Sequence, residues 1–227
     1  MERVRWVTFD CFGTLVNWRH GIATGAELVA PGRGAELLEA YNRHEPVVQK
    51  ELPTLRYRQV LAEAFRRACV ECGVPLTDDD SAVLGVTMPF WPVFPDVAPE
   101  LSALRDAGWN LALLTNCDRD IIAETQRRLP VRFDAVVTAE EVGSYKPAHE
   151  HFSRFERTHR PRPDEWVHVA QSYFHDLIPA QQLGIPRIWV NRLSETDDPV
   201  IADAVLPDLG GLLNAVEEVA AASKSVR

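Results

Sequence analysis

Cysteine is scarce in this chain of 227 residues: Cys11, Cys69, Cys72 and Cys117 are the whole complement. So few, so scattered, they argue against a disulfide framework. Cys69 and Cys72 would share one helix face, but no second pair at zinc spacing follows, so neither a redox nor a zinc site is expected there. Long apolar runs are missing as well. None approaches the roughly 18 residues that cross a bilayer, which excludes a helical membrane span. Basic residues are outnumbered by acidic ones, 24 to 33, for a formal net charge of -9. Charge of that sign repels phosphate backbones and anionic lipid, so neither nucleic acid nor a membrane is an expected partner. A small anionic substrate stays admissible, because the local field of a cleft matters more to a small ligand than the total charge. Met1-Glu2-Arg3-Val4-Arg5-Trp6 lacks the basic start, apolar stretch and cleavage site of a signal peptide, and a cytoplasmic location is expected.

What is present is an ordinary globular composition, 46% hydrophobic and 25% charged. The length exceeds a typical domain of roughly 100 to 200 residues without reaching two, which predicts one core domain and a smaller appendage. Val4 to Phe9 is a short apolar run closed by Asp10, Gly13 and Thr14, hence a strand ending in a turn. From Asn17 to about Phe90 the pattern is helical, clearest over 35–41 and 57–65, and Pro89, Pro92 and Pro95 then break it.

Beyond the prolines, helices and strands alternate. Helices are predicted over 98–107, 118–128, 149–158, 175–183 and 209–222, with strands over 110–115, 133–138, 166–170, 187–190 and 204–206. Alternation of this kind implies a parallel sheet with helices on both faces. Ligands of such sheets bind at the carboxyl ends of the strands, where Asp10, Thr115, Asn116, Ser172 and Asn191 fall.

Phe9-Asp10-Cys11-Phe12-Gly13-Thr14-Leu15 resembles the first motif of the haloacid dehalogenase superfamily, in which an aspartate nucleophile ends a strand and a Thr follows four residues later. Leu113-Leu114-Thr115-Asn116 resembles the second motif, Tyr145-Lys146-Pro147 the third, and Ser172 to Asp176 part of the fourth. They occur in the family's order. The resemblance implies an α/β fold: a Rossmann-like core with a parallel sheet flanked by helices, here residues 1–16 and 92–227, and a small all-helical cap, residues 17–91, inserted after the first strand.

It also implies roles. Asp10 would form a covalent ester, which splits one hard displacement into two easier steps. Lys146 would balance its charge and help bind a negative substrate, and Asp176 would activate water, although an acidic residue there also suits a helix N-terminus. Thr14 and Thr115 would orient the nucleophile or a substrate carboxylate, or cap the helices that follow. Asn116 would hold the leaving group. Cys11, Phe12, Ser172, Tyr173 and His175 would line the substrate site, with Tyr173 equally able to pack under the cap and His175 to start a helix. Arg43 is the candidate for the cap arginine that contacts a halide, with Arg56 and Arg58 as alternatives. Trp18, Trp91, Phe12 and Phe174 would form dry walls.

Two departures bear on the chemistry. Phosphatases of the family carry a second aspartate two residues after the nucleophile, as a general acid worth roughly two to four orders of magnitude in rate; this chain has Phe12. Metal-dependent members carry an aspartate where Gln171 stands, which weakens a magnesium site built on Asp10 and Asp176. Halide leaves without protonation, and the L-2-haloacid dehalogenase branch works without metal and has an aromatic residue at the Phe12 position. The resemblance therefore implies a hydrolase that converts a small 2-haloacid to a 2-hydroxy acid with no cofactor. A magnesium-dependent phosphatase is the alternative, and a non-catalytic binding protein the remaining one. Within the branch, Phe152 replaces a tyrosine, and Gln171 and Tyr173 replace Ser and Asn. A homodimer is in keeping with the family.

Overall fold

The structure is a computed structural model that describes residues 4–225. Met1-Glu2-Arg3, on which the reading of the N-terminus rests, and Val226-Arg227 lie outside the described residues, so the ends of the predicted 1–16 and 92–227 segments do too. Six parallel strands form one sheet in the order β3-β2-β1-β4-β5-β6. They are β1 (Arg5–Phe9), β2 (Trp109–Thr115), β3 (Ala135–Thr138), β4 (Trp166–Ala170), β5 (Arg187–Val190) and β6 (Ala204–Leu206). The inner strands are buried on both faces, as a sheet covered on both sides requires.

Between β1 and β2 comes the helical insertion: α1 (Trp18–Val29), α2 (Gly34–Glu51), α3 (Tyr57–Glu71), and the short α4 (Asp78–Ser81) and α5 (Val83–Thr87). The insertion buries its own apolar stripe, with Leu37, Tyr41, Leu61, Ala64 and Phe65 inside. α2 runs through Pro46, which has no N–H for the carbonyl of Asn42. The remaining helices cover the sheet: α6 (Val97–Asp106), α7 (Arg119–Gln126), α8 (Ala139–Val142), α9 (Glu150–His159), α10 (Ile178–Gln182) and α11 (Leu212–Ser225).

Strand order reverses direction at β1, which pairs β2 on one side and β4 on the other. That switch point opens a crevice at the carboxyl ends. Phe9 is level with Leu113 of β2 and with Val169 of β4, so Asp10 emerges between the ends of both neighbours.

Two glycines are required. Gly13 has φ +110°, a conformation that other residues rarely adopt, and it lets the chain turn sharply after Asp10. Gly21 of α1 lies so close to Trp91 that a Cβ would come within 2.2 Å of its ring.

One predicted helix is altered. The expected 175–183 helix begins instead as a widened π turn over Tyr173–Leu177, with Leu177 N donating to Ser172 O at 3.3 Å, and only then becomes α10. Pro179 cannot donate to the His175 carbonyl, which favours the wider turn. The turn directs Asp176 into the interior and leaves Phe174 57% exposed. Among the described residues no helix is long and apolar enough to cross a membrane.

Candidate active site

Three side chains meet at the switch point: Asp10 just past β1, Lys146 from the loop after α8, and Asp176 from the turn after β4. The Lys146 ammonium donates to Asp10 Oδ1 at 3.0 Å, to Asp176 Oδ1 at 2.7 Å and to the Leu114 carbonyl at 2.8 Å. All three are buried. An ammonium has three hydrogens, so Lys146 is fully committed inside the protein. It balances two buried carboxylates and has no hydrogen left for a substrate, which corrects the expectation that it binds the substrate's charge directly.

The other oxygen of Asp10, Oδ2, accepts from Thr14 Oγ1 at 2.9 Å, and Thr14 Oγ1 in turn accepts from Gln171 N at 2.9 Å. Thr14 thus orients Asp10 rather than capping a helix. Burial raises the Asp10 carboxyl above the usual range, opposed by the attraction of Lys146. Burial also works against Asp176, but Lys146 and His168 outweigh it and hold that carboxyl at about 2. Asp176 is therefore ionised at neutral pH, and its Oδ2 is buried without a hydrogen-bond partner.

A relay of buried groups aims Asp176. Trp166 Nε1 donates to Thr8 Oγ1 at 2.8 Å; Thr8 Oγ1 lies 2.9 Å from His168 Nδ1, and His168 Nε2 lies 3.0 Å from Asp176 Oδ1. With Thr8 donating onward to Nδ1, the proton of His168 resides on Nε2 and faces Asp176. Neither Thr8 nor His168 was legible as a site residue, since both sit inside strands with the parity of ordinary core positions.

Asn116 clasps the backbone of Lys146: its Oδ1 accepts from Lys146 N at 2.7 Å and its Nδ2 donates to Lys146 O at 3.0 Å. One amide hydrogen remains for a leaving group. His151 touches the Thr115 carbonyl at 3.1 Å, and burial lowers its pKa to about 3, so it is a neutral core residue. Phe152, where a tyrosine was expected, is fully buried against the His168 ring.

A cavity of about 360 Å³ opens above this cluster. Asp10, Phe12, Thr115, Asn116, Lys146, Ser172 and Asp176 line it from the core, with Trp18 and Trp91 beside them. Phe12 meets Trp91 edge-on, ring centroids 6.0 Å apart. Burial holds His175, also in the lining, at about 4, so it is neutral at physiological pH.

Other expected residues are elsewhere. Cys11 is wholly buried beneath the turn and outside the lining. Tyr173 swings outward and donates to the Asp198 carbonyl at 3.2 Å, and Phe174 is on the surface, so neither forms a wall; the π turn rotates both away. Arg43 is on the outer face of α2, paired with Glu71. A helix advances about 100° per residue, so when Asn42 and Glu45 face the cavity, Arg43 faces away. Arg19 of α1, also bonded to Glu39 at 2.6 Å, is the sole arginine among the lining residues, and no motif pointed to it.

Arg56 and Arg58, the alternatives, fasten the insertion to the core. Buried Asp118 caps the first turn of α3, accepting from Tyr57 N at 2.8 Å, Arg58 N at 3.1 Å and Arg58 Nε at 3.0 Å. Arg56 reaches Glu140 at 2.7 Å, and the Tyr145 hydroxyl donates to the Leu55 carbonyl at 2.6 Å. Loss of a helix cap costs about 1–2 kcal/mol. Asp118→Ala should lower the denaturant midpoint accordingly and raise KM more than it lowers kcat, because it frees the cap without touching the reacting groups. An unchanged midpoint would show the latch to be dispensable.

Magnesium finds few donors. Asp10 and Asp176 are the two carboxylates at the strand ends, both bonded to Lys146, and Gln171 directs its amide to Glu195 at 3.1 Å. Among the described residues no group of three or more His, Cys, Asp or Glu side chains is placed to hold a metal, Cys69 and Cys72 included. The donor set fits this ion poorly.

With the buried Asp10–Lys146–Asp176 cluster described, comparison with known proteins gives one family: a family model described as haloacid dehalogenase-like hydrolase matches residues 4–184. The chain belongs to that family. Among relatives of the haloacid dehalogenase-like hydrolases, an (S)-2-haloacid dehalogenase of Pseudomonas sp. (strain YL) is 24% identical over 202 residues, covering 85% of this chain and 84% of the relative. A phosphoglycolate phosphatase of Salmonella typhimurium is 25% identical over 254 residues, covering 92% and 94%. The crystal structure of an L-2-haloacid dehalogenase superposes with a TM-score of 0.84 at 24% identity, covering 95% of this chain and all of that one. At this identity the superposition establishes the fold: a Rossmann-like core with a parallel sheet and an inserted helical cap.

Proposed function

We propose that the protein is a hydrolytic dehalogenase that converts a small 2-haloacid to the 2-hydroxy acid through an ester on Asp10, without a metal ion. The observation that carries this reading is a carboxylate nucleophile held by Lys146 in a cavity whose Phe12 presents carbon where a phosphatase would need a proton donor. An oxygen of Asp10 bonds to C2 as the C2–halogen bond breaks, and halide departs with the bonding pair. Water then attacks Cγ of Asp10 and its proton passes to Asp176, whose free Oδ2 supports the role of base. Cleavage of the acyl C–O bond releases the 2-hydroxy acid, protonated from Asp176. Asp10 returns to its carboxylate, and one proton leaves per halide.

Arg19 replaces Arg43 in this proposal as the guanidinium facing an anionic substrate. The remaining amide hydrogen of Asn116 meets the departing halide. The division into a core, 1–16 and 92–227, and a cap, 17–91, is retained in the proposal, with the cap closing the cavity.

The test is halide release from a panel of 2-haloacids, with and without a chelator. Release that survives chelation is expected. Absence of halide release together with magnesium-dependent phosphate release from small phosphoesters, the activity named in the Salmonella relative, would overturn the reading.

A further inference from the structure

The cap side of the cavity is polar, and nothing in the chemistry at Asp10 uses it. α2 and α3 bring Tyr41, Asn42, Glu45, Gln49 and Tyr57 to this wall. Asn42 Oδ1 is buried without a hydrogen-bond partner, and the hydroxyl of Tyr41, a residue 2% exposed, has the Tyr57 hydroxyl nearby but makes no hydrogen bond of regular geometry. Buried polar atoms are normally paired, so two orphans on one wall mark a place where a partner from outside belongs. Pro46, which also lines the cavity, cannot donate to the Asn42 carbonyl and leaves a further acceptor without its helical partner. Both hydrogen bonds to Glu45, from Gln49 and from the Tyr57 hydroxyl, fall on Oε1, leaving Oε2.

Most of these atoms are acceptors. The lining has the same bias: the carboxyl groups of Asp10, Asp176, Glu45 and Glu195 face only Lys146, whose hydrogens are all committed, and Arg19, and Glu45, which burial raises to about 7, is half ionised near neutral pH and gains charge only with a donor beside it. The volume is generous too. At roughly the 30 Å³ that one water occupies in the liquid, a three-carbon haloacid seated at Asp10 fills no more than about half of the space.

We infer that the Tyr41–Asn42–Glu45 wall is a binding subsite for a hydrogen-bond donor at the far end of the substrate, which is therefore a 2-halo acid whose chain ends in a hydroxyl or ammonium group. The inference rests on the dehalogenase reading for the reacting end and is independent of it for the distal end. A plain alkyl chain would leave the orphaned atoms buried and unpaired, a cost that discriminates against it strongly.

The experiment has two readouts on the unmodified protein and on Tyr41→Phe and Glu45→Leu. Calorimetry measures binding of three matched product acids, 2-hydroxypentanoate, 2,4-dihydroxybutanoate and 4-amino-2-hydroxybutanoate. Halide release is measured from the corresponding 2-chloro acids. The hydroxyl or ammonium acid should bind at least about tenfold more tightly than the alkyl acid, and the two variants should erase that preference. The better of the two polar acids identifies the donor. Tyr41→Phe removes only a hydroxyl that makes no regular hydrogen bond within the chain, so it keeps the test meaningful if Glu45→Leu fails to fold. Equal or tighter binding of the alkyl acid, or a preference that both variants retain, overturns the subsite. If the affinity order holds but none of the chloro acids yields halide, the subsite stands and the dehalogenase reading falls. If halide is released and the alkyl acid is preferred, the reverse is true.

Discussion

Asp10→Asn is expected to reduce halide release by on the order of a thousandfold or more, since removing a covalent nucleophile eliminates the route and leaves only binding and electrostatic effects. The fold should survive. Asparagine keeps the shape of the side chain, Thr14 can still donate to the amide oxygen, and the pairing of Lys146 with Asp176 at 2.7 Å is untouched. Burial already works against the Asp10 charge, so its removal relieves a desolvation cost while it forfeits one ion pair, and the thermal midpoint should move little. Rates and midpoints measured side by side separate the two effects. Turnover that persists in the folded variant would mean that the nucleophile lies elsewhere.

Lys146→Met should be more damaging, because it affects both activity and stability. Methionine fills a similar volume but leaves Asp10 and Asp176 buried without a cation. Breaking a buried ion pair by removing one partner costs about 3–5 kcal/mol, and here two partners lose it. Both carboxyls should then resist ionisation, so the nucleophile is also lost at neutral pH.

The pH dependence of stability distinguishes this from a simple packing defect. In the unmodified protein Asp176 sits at about 2, below its ordinary value, so its contribution is present above about pH 4 and disappears as pH falls toward 2. In the variant the carboxyls are raised, and the sign reverses: the unfolded chain ionises first, and stability falls as pH rises above about 4. Denaturant unfolding across pH 2–7 checks the slope. A variant whose slope matches that of the unmodified protein would refute the charge-balancing role of Lys146.

Much of this architecture was legible in the sequence. The 166–170, 187–190 and 204–206 strands match residue for residue, because short apolar runs bounded by turn residues admit few other placements in an alternating chain. Asp10, Thr14, Lys146 and Asp176 were picked out together because motifs resembling those of one family occurred in its order, and the fold brings the four into one hydrogen-bonded cluster.

The cap was legible as a helical block but not as a surface. Arg43 was the wrong face of α2 by one residue, a difference that motif spacing does not reveal and helix rotation decides. Tyr173 and Phe174 were misplaced because the π turn ahead of Pro179 rotates the backbone, which a window expecting an ordinary helix start cannot register. Thr8 and His168 went unnoticed inside strands, where a polar residue of core parity gives no sign of its partner across the sheet.

The sequence by itself determined the order of strands and helices and the emergence of Asp10 at the end of the first strand, since each depends on residue identity and local periodicity alone; that Phe12 stands where phosphatases of the family carry a proton donor came from the resemblance. Only the tertiary structure decided that Lys146 has no hydrogen to spare, that Asp176 keeps one oxygen free, and that α2 turns Tyr41, Asn42 and Glu45 toward the cavity and Arg43 away. Those outcomes depend on distances between atoms far apart in the chain and on which face each helix buries, and packing sets both.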